Sequence, residues 1–456
     1  MKCSSFSKFV VMTVLILATY GIVEGRESGK SPVGQAKDGR EVLLRLHGSN
    51  TIGATLAPAL AENFLKSLGA TDIKKTHPSD METRVEGKIK GNTQPSIIEI
   101  HAHGSSTAFQ DLGAGACDIG MSSRRVNDKE VQALSRLGDL YSSSNEHVLA
   151  IDGIAVIVHK HNSVFKLGAS DIKKIFSGQI SDWSQVGGSP GRINVYARDD
   201  KSGTWDTFKH LVLEDTSLVK GAKRFEDSEK LSDEVANDPN GIGFIGLPYI
   251  RNAKALAVSD GSNPVFPEKF SVATEDYPLS RRLYLYTPSG PSNVEARLFV
   301  EFALSRDGQN IAEETGFVGL NIKTVKPTLS GDFSGEYVDT VKHKERLSCS
   351  FRFKTGSFEP DNRALRDLDR VAGFLNDRNN RGRRIMLLGF ADNVGDESLN
   401  KNLSERRAEA VRKALGSKGV KISKADITAY GRANPIASNE TTSGRERNRR
   451  VELWLR

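Results

Sequence analysis

Cysteine is scarce in this 456-residue chain, which has three. That excludes a small disulfide-stapled scaffold. No Cys-x-x-Cys or Cys/His spacing offers a zinc ligand set. Proline (15) and glycine (42) are too few for a fibrous chain. Long apolar runs are missing as well. The mean hydropathy of −0.40 excludes a multi-span membrane protein. The apolar run Phe9–Ala18 falls short of the roughly 20 residues that a span needs. No Gly-x-Ser-x-Gly elbow, Ser/His/Asp arrangement or internal repeat stands out. What remains is 38% hydrophobic and 27% charged, a composition too apolar for disorder. The length suits two to four domains at about 100–200 residues each.

Residues 1–25 pair Lys2 and Lys8 with the apolar run and then small residues. This is the shape of a secretory signal peptide, with an uncleaved anchor as the alternative. No Cys follows the run, so a lipid anchor is not expected. Residues 26–40 read as a flexible leader. From 41 to 323 short apolar strands such as VLLRLHG, SIIEIHAHG, GIAVIVHK and INVYAR alternate with helical patterns. That rhythm predicts α/β architecture with mainly parallel strands. Residues 324–345 lose the rhythm and read as a linker, and 346–456 resume it on a smaller scale. Charge supports the division. Residues 346–456 hold 24 Lys and Arg against 14 Asp and Glu, whereas 26–345 hold 38 against 42. A basic domain on an exported protein points to an anionic envelope polymer or a membrane surface more readily than to nucleic acid. Cys117 and Cys349 are expected as buried thiols, with a disulfide left open.

Three short motifs follow strands and open helices: Gly48-Ser49-Asn50-Thr51, Gly104-Ser105-Ser106-Thr107 and Ser202-Gly203-Thr204. The first amides of a helix lack intrahelical partners, hydroxyls add donors, and Gly admits close approach. Each motif alone is usually an N-cap. The three together, with Arg198 four residues before Ser202, suit an oxyanion, because a guanidinium forks onto two oxygens.

The stretches GSNTIG, GSSTAFQDLGAGACDIGMSSR, IDGIAVIVHKHN, IKKIFSGQISDWSQVGG, ARDDKSGTWDTF and NGIGFIGLPYI, in that order, resemble the periplasmic phosphate-binding proteins that feed ABC transporters. The resemblance covers about 42–322. It implies a two-lobed periplasmic-binding-protein (type II) fold, with lobe I at 42–125 and 255–322 and lobe II at 126–254. It implies an anion held by Thr51, Ile52, Ser105, Ser123, Arg198, Ser202, Gly203 and Thr204. Some family members close the segment 118–123 with an acidic residue that accepts the proton of hydrogen phosphate and repels sulfate. Here Ser123 stands at that place, which opens the choice between phosphate and sulfate.

His101 with His103, and His159 with His161, have the i, i+2 spacing that shares one face of a strand. No third ligand of suitable spacing is evident, so no metal site is expected.

In the C-terminal region Pro360-Asp361-Asn362 should open a helix with Leu365, Leu368, Val371, Ala372 and Leu375 on one face. A second helix should carry Leu403, Ala408, Val411 and Leu415, capped by Ser404. Asp426–Tyr430 and Val451–Leu455 read as strands, giving a small βαβαβ domain. The segments Gly389-Phe390-Ala391-Asp392, Asn400, Leu403-Ser404-Glu405-Arg406-Arg407-Ala408 and Gly444–Glu452 resemble the OmpA-like peptidoglycan-binding domain over 346–456. The family's GHTD reads GFAD here. The resemblance implies a stem-peptide site at Asp392, Asn400 and Arg407, where Asp392 takes the ammonium of diaminopimelate and Arg407, in a first helical turn, takes its carboxylate. Read from the residues alone, Asp392 and Arg407 are more simply a surface ion pair. Arg445, Arg447, Arg449 and Arg450 read as a solvated basic face with core-edge support.

The combined expectation is a non-enzymatic envelope protein without cofactor. It would capture phosphate or a related oxyanion in the periplasm, with an ABC permease as a further partner, and hold peptidoglycan through its C-terminal domain. The alternative is a structural or interaction protein whose large domain binds a protein or another small ligand. A phosphatase using the same pocket would need a nucleophile with a base or metal, and none is assigned.

Overall fold

The computed structural model describes residues 42–200, 202–290, 293–327, 333–353 and 356–456. The expected signal peptide and leader lie outside the described residues. Strands β1 (Val42–Gly48), β2 (Thr71–Ser79), β3 (Glu82–Lys88), β4 (Ser96–His101) and β5 (Ile119–Ser122) belong to the first lobe. The long β6 (Glu146–Val158) leads into the second, which holds β7 (Lys166–Gly168), β8 (Asn194–Arg198), β9 (Lys223–Phe225), β10 (Gly241–Gly246), β11 (Lys254–Ala255) and β12 (Ala257–Ser259). Strand β13 (Ser280–Tyr286) then returns to the first lobe. One sheet runs β2-β3-β4-β1-β5-β13-β6-β10-β8-β9, with β11 also on β6, while β7 and β12 pair separately.

Within the lobes the expected parallel pairing holds for β1 with β4 and β5, and for β8 with β9 and β10. The centre is antiparallel. The first half of β6 pairs β13 and its last five residues pair β10, so one strand spans both lobes. Its sequence EHVLAIDGIAVIV is buried almost throughout, as a strand covered on both faces must be. The antiparallel hairpin β2–β3 was not anticipated, because its outer strand is almost wholly exposed and lacks an apolar face. Each lobe has its own core. Leu44, Leu46, Phe64 and Phe299 mark the first, and Phe176, Phe208, Phe244 and Trp183 the second. Cys117 and Cys349 are buried and form no disulfide among the described residues, and burial pushes both thiols up.

The C-terminal domain is a sheet in the order β14 (Thr324–Val325), β15 (Glu345–Arg352), β18 (Arg450–Leu455), β16 (Ile385–Gly389), β17 (Ile427–Ala429), with helices 362–376 and 397–417 between strands. The stretch 324–345 is not a plain linker. Strand β14 adds to this sheet, and helix Gly335–Val341 buries Tyr337, whose hydroxyl donates to Glu452 at 2.9 Å. In helix 362–376 Leu368, Val371, Ala372 and Leu375 are buried, but Leu365 is 40% exposed. Asp361 caps it, accepting from Ala364 N at 2.8 Å. Helix 397–417 begins earlier than expected, because Asp396 rather than Ser404 caps it. Ser404 lies inside the helix and accepts from Gly431 N at 3.1 Å.

The two bodies meet through charge. Arginines of the C-terminal domain face carboxylates of the two-lobed domain: Arg346 and Arg352 at Asp276, Arg363 at Glu275, Arg447 at Asp260 and Arg366 at Glu301. Asn362 donates to Glu146 on β6 at 2.9 Å. The C-terminal domain therefore docks beside the central strands that join the lobes.

Candidate functional site

The three predicted turns do open helices: Asn50–Gly53, Ser105–Ala114 and Gly203–Phe208 follow β1, β4 and β8. The turn geometry needs glycine at Gly48, whose φ is +135° and where a Cβ would fall 2.1 Å from Met121 O. Gly104 has φ +109° and likewise starts its helix from a conformation that suits glycine.

The turns of opposite lobes touch. Thr51 Oγ1 donates to Gly203 O at 3.2 Å. A Cβ on Gly203 would stand 2.6 Å from Thr51 Cα and Oγ1, so the close approach requires glycine there. Arg281, from the start of β13, fills the junction. Its Nη2 donates to Thr51 Oγ1 at 2.7 Å and to Gly203 O at 3.2 Å. Its Nε lies 3.5 Å from Asp152 and its Nη1 3.8 Å from Asp206. Burial lowers the pKa of Arg281, and the two carboxylates oppose that effect. Thr207 Oγ1 donates to Asp152 at 3.1 Å. On the other side Ser105 Oγ lies 3.0 Å from Ser123 Oγ and accepts from Ser123 N at 3.0 Å. Ser123 Oγ donates to Asp206 at 3.5 Å, which closes a polar chain from Ser105 to Asp152.

A second polar cluster sits in the C-terminal domain. Asp392 accepts from Arg449 Nη1 at 2.8 Å and from Val394 N at 3.1 Å. Arg407 donates through Nε to Ser357 O at 3.3 Å and lies over the Phe353 ring at 5.5 Å. Burial, then the nearby Arg449, lower its pKa to about 10 against the pull of Asp392. Asn400, two turns before Arg407 in the same helix, is fully buried, and neither atom of its side-chain amide has a partner among the described residues.

A family profile described as "PBP superfamily domain" matches residues 81–307, and one described as "OmpA family" matches 352–449. The phosphate-binding protein PstS of Bacillus subtilis is 30% identical over 223 residues, covering 48% of this chain and 70% of its own. Protein SphX of Synechococcus elongatus is 30% identical over 285 residues, 60% of this chain and 83% of its own. The chain belongs to the PstS family. It carries an OmpA domain at its C-terminal end. The crystal structure of the peptidoglycan-associated lipoprotein from Burkholderia pseudomallei is 29% identical, covers 24% of this chain and 89% of its own, and superposes with a TM-score of 0.21.

In the PstS-like domain, Thr51, Gly203, Ser105 and Ser123 come together through Arg281 and Asp206. Ile52 is wholly buried in the first-lobe core, so only its backbone amide is left to face a ligand. Ser202 caps the helix after β8 by accepting from Trp205 N, and Thr204 lies in its first turn. Arg198 is held elsewhere. Its guanidinium donates to Phe225 O at 3.2 Å, to Glu226 O at 2.7 Å and to Ser228. The sequence marks Arg281 only as one of a pair of arginines opening an apolar strand, SRRLYLY. Its place depends on which lobe faces it, which no local pattern records.

In the OmpA domain the partner of Asp392 is Arg449, and Arg407 stands in the interior of helix 397–417 rather than in its first turn. The C-terminal arginines are not a solvated face. Arg449 and Arg450 are buried, and Arg450 lies 3.8 Å over the ring of Phe390, the residue in place of the family's His. His159 and His161 lie in a turn, not on a strand. His101 closes β4, and a third group does stand beside it and His103: Glu82, opposite His101 in the β3–β4 register.

Proposed function

We propose that the PstS-like domain closes on phosphate or a similar oxyanion in the bacterial periplasm and that the OmpA domain holds the protein to peptidoglycan. The observation that carries the first half is the contact of Thr51 with Gly203 across the lobes, with buried Arg281 donating to both. Relatives named for phosphate binding support the ligand class. The hydroxyls of Thr51, Ser105, Ser123 and Thr204 and the amides of the three turns supply donors, with the Ile52 amide among them. Arg281 supplies charge at the lobe junction. Arg198 joins the ligand by leaving the carbonyls of 225–226. A buried guanidinium facing a doubly charged anion gains far more than an exposed one, because little water competes.

Ser123 replaces the expected carboxylate, but Asp206 brings one to the same hydroxyl from the opposite lobe. It takes over the task of accepting the proton of hydrogen phosphate and repelling sulfate. The role is binding, with the peptidoglycan stem peptide read by Asp392, Asn400 and Arg407. An ABC permease remains a further partner of this reading. Calorimetric titration of the stripped full chain tests the proposal. Saturable heat with phosphate and little with sulfate is the expected result. Heat with neither anion would leave the large domain as a fold without its family's ligand.

A further inference from the structure

We propose that Glu82, His101 and His103 form a divalent transition-metal site, with Zn²⁺ the metal that suits it. One ligand atom from each of these residues lies within 4.8 Å of the others. His103 Nε2 and Glu82 Oε1 are already 3.5 Å apart. Two ligands of one tetrahedral Zn²⁺ stand about 3.4 Å apart, given bond lengths of about 2.1 Å, so small side-chain rotations complete the set. Two imidazoles and a carboxylate, with no thiolate, match the ligand preference of zinc and its neighbours rather than of calcium or magnesium.

The frame is rigid. Glu82 and His101 are directly opposed in the antiparallel β3–β4 ladder. Ala102 N donates to Met81 O at 2.8 Å, and Gly104 N donates to Gly48 O at 2.8 Å, so the backbone on both sides of His103 is fixed. Behind the cluster His47 stacks on His101 with ring centroids 4.1 Å apart. His47 Nδ1 meets Asp111 at 2.8 Å, while its Nε2 is buried without a partner among the described residues. The His47 ring, held by Asp111, thus backs His101 and fixes the plane of that imidazole.

The position gives the metal a task. His103 directly precedes Gly104-Ser105, the turn that reaches Ser123. A bound ion ties the end of the β3–β4 hairpin to that turn.

The test is competition of untagged full chain with a chromophoric zinc chelator. The wild type should take up one Zn²⁺ saturably. His103→Ala, an exposed position, and Glu82→Gln should each weaken uptake by about tenfold or more. His161→Ala should leave it unchanged. Absence of saturable uptake, or equal affinity in His103→Ala, overturns the assignment. Loss of uptake in His161→Ala instead also overturns it. Phosphate binding measured on the same samples reports separately on the anion cleft.

Discussion

Arg281 and Arg282 are neighbours on β13 and serve different bodies. Arg281 donates to Thr51 and Gly203 between the lobes, while Arg282 pairs with Glu275 and with Asp361, the cap of the first OmpA-domain helix. Alternation along a strand sends consecutive side chains to opposite faces. One strand thus carries the lobe junction on one side and the docking surface on the other. The contact between the lobes and the placement of the OmpA domain share a single strand.

The docking surface should be sensitive to acid. Burial alone would raise the Glu275 carboxyl, but Arg282, Arg363 and Arg352 outweigh it and hold the group below its ordinary value. Asp276 is likewise held down, by Arg346 and Arg352. A depressed carboxylate stabilises the folded state above its unfolded pKa, and that contribution is lost as pH falls below about 4. Domain docking should therefore persist at neutral pH and weaken below about pH 4. Limited proteolysis between the domains across pH reads this. Glu275→Gln should cost about 1–3 kcal/mol, since Arg282, Arg352 and Arg363 lose one carboxylate while keeping Asp361, Asp276 and Asp367. An unchanged melting temperature and proteolysis pattern in that variant would remove the ion pairs as the cause.

Gly203→Ala should hold the lobes apart. The new methyl would meet Thr51 at 2.6 Å, on backbone and hydroxyl alike, and neither side can yield without reopening the cleft. Phosphate affinity should fall by at least tenfold, a loss of about 1.4 kcal/mol or more, with the melting temperature of the free protein little changed. Calorimetry on the stripped protein checks it.

Much of this was legible and some was not, for a common reason. The three strand-to-helix turns stand in the sequence because small hydroxyl residues and glycine have local duties there. The start of helix 397–417 was misplaced because Ser404 looks like a cap, although its hydroxyl is occupied by Gly431 from a distant segment. Arg281, Asp206 and Glu82 were invisible because their roles rest on register and on lobe contact. Leu365 was misjudged because a helical stripe is wider than the surface actually covered.

Arg281→Ala and Arg198→Ala should both weaken anion binding, and they separate two contributions. Arg281 bridges the lobes already, so its loss should also shift the open–closed balance, seen as a larger radius of gyration in phosphate by small-angle scattering. Arg198 should affect affinity alone. Unchanged phosphate affinity in Arg281→Ala would reject its place in the site, and unchanged affinity in Arg198→Ala would leave Arg281 as the sole charge partner.

Asn400→Ala offers a clean test of the wall site. Replacing Asp392 breaks a buried pair with Arg449, so weakened sacculus binding in that variant would mix folding with recognition. The side-chain amide of Asn400 has no hydrogen-bond partner among the described residues, so its replacement by Ala should leave the stability within about 1 kcal/mol of wild type. Retention on purified sacculi should nevertheless fall severalfold. Full retention would take Asn400 out of the stem-peptide site.

Asp206→Asn should change selectivity more than affinity. The carboxylate lies 3.5 Å from Ser123 Oγ and 3.8 Å from Arg281, where the rim of a bound tetrahedral anion would fall. Hydrogen phosphate can donate its proton to that carboxylate, and sulfate at neutral pH has none to give. An amide accepts less strongly and carries no charge, so the repulsion of sulfate disappears. The ratio of phosphate to sulfate affinity should drop by at least tenfold, mostly through a gain for sulfate. If the ratio is unchanged, the carboxylate stands outside the ligand's reach and selectivity rests on the hydroxyls and amides alone.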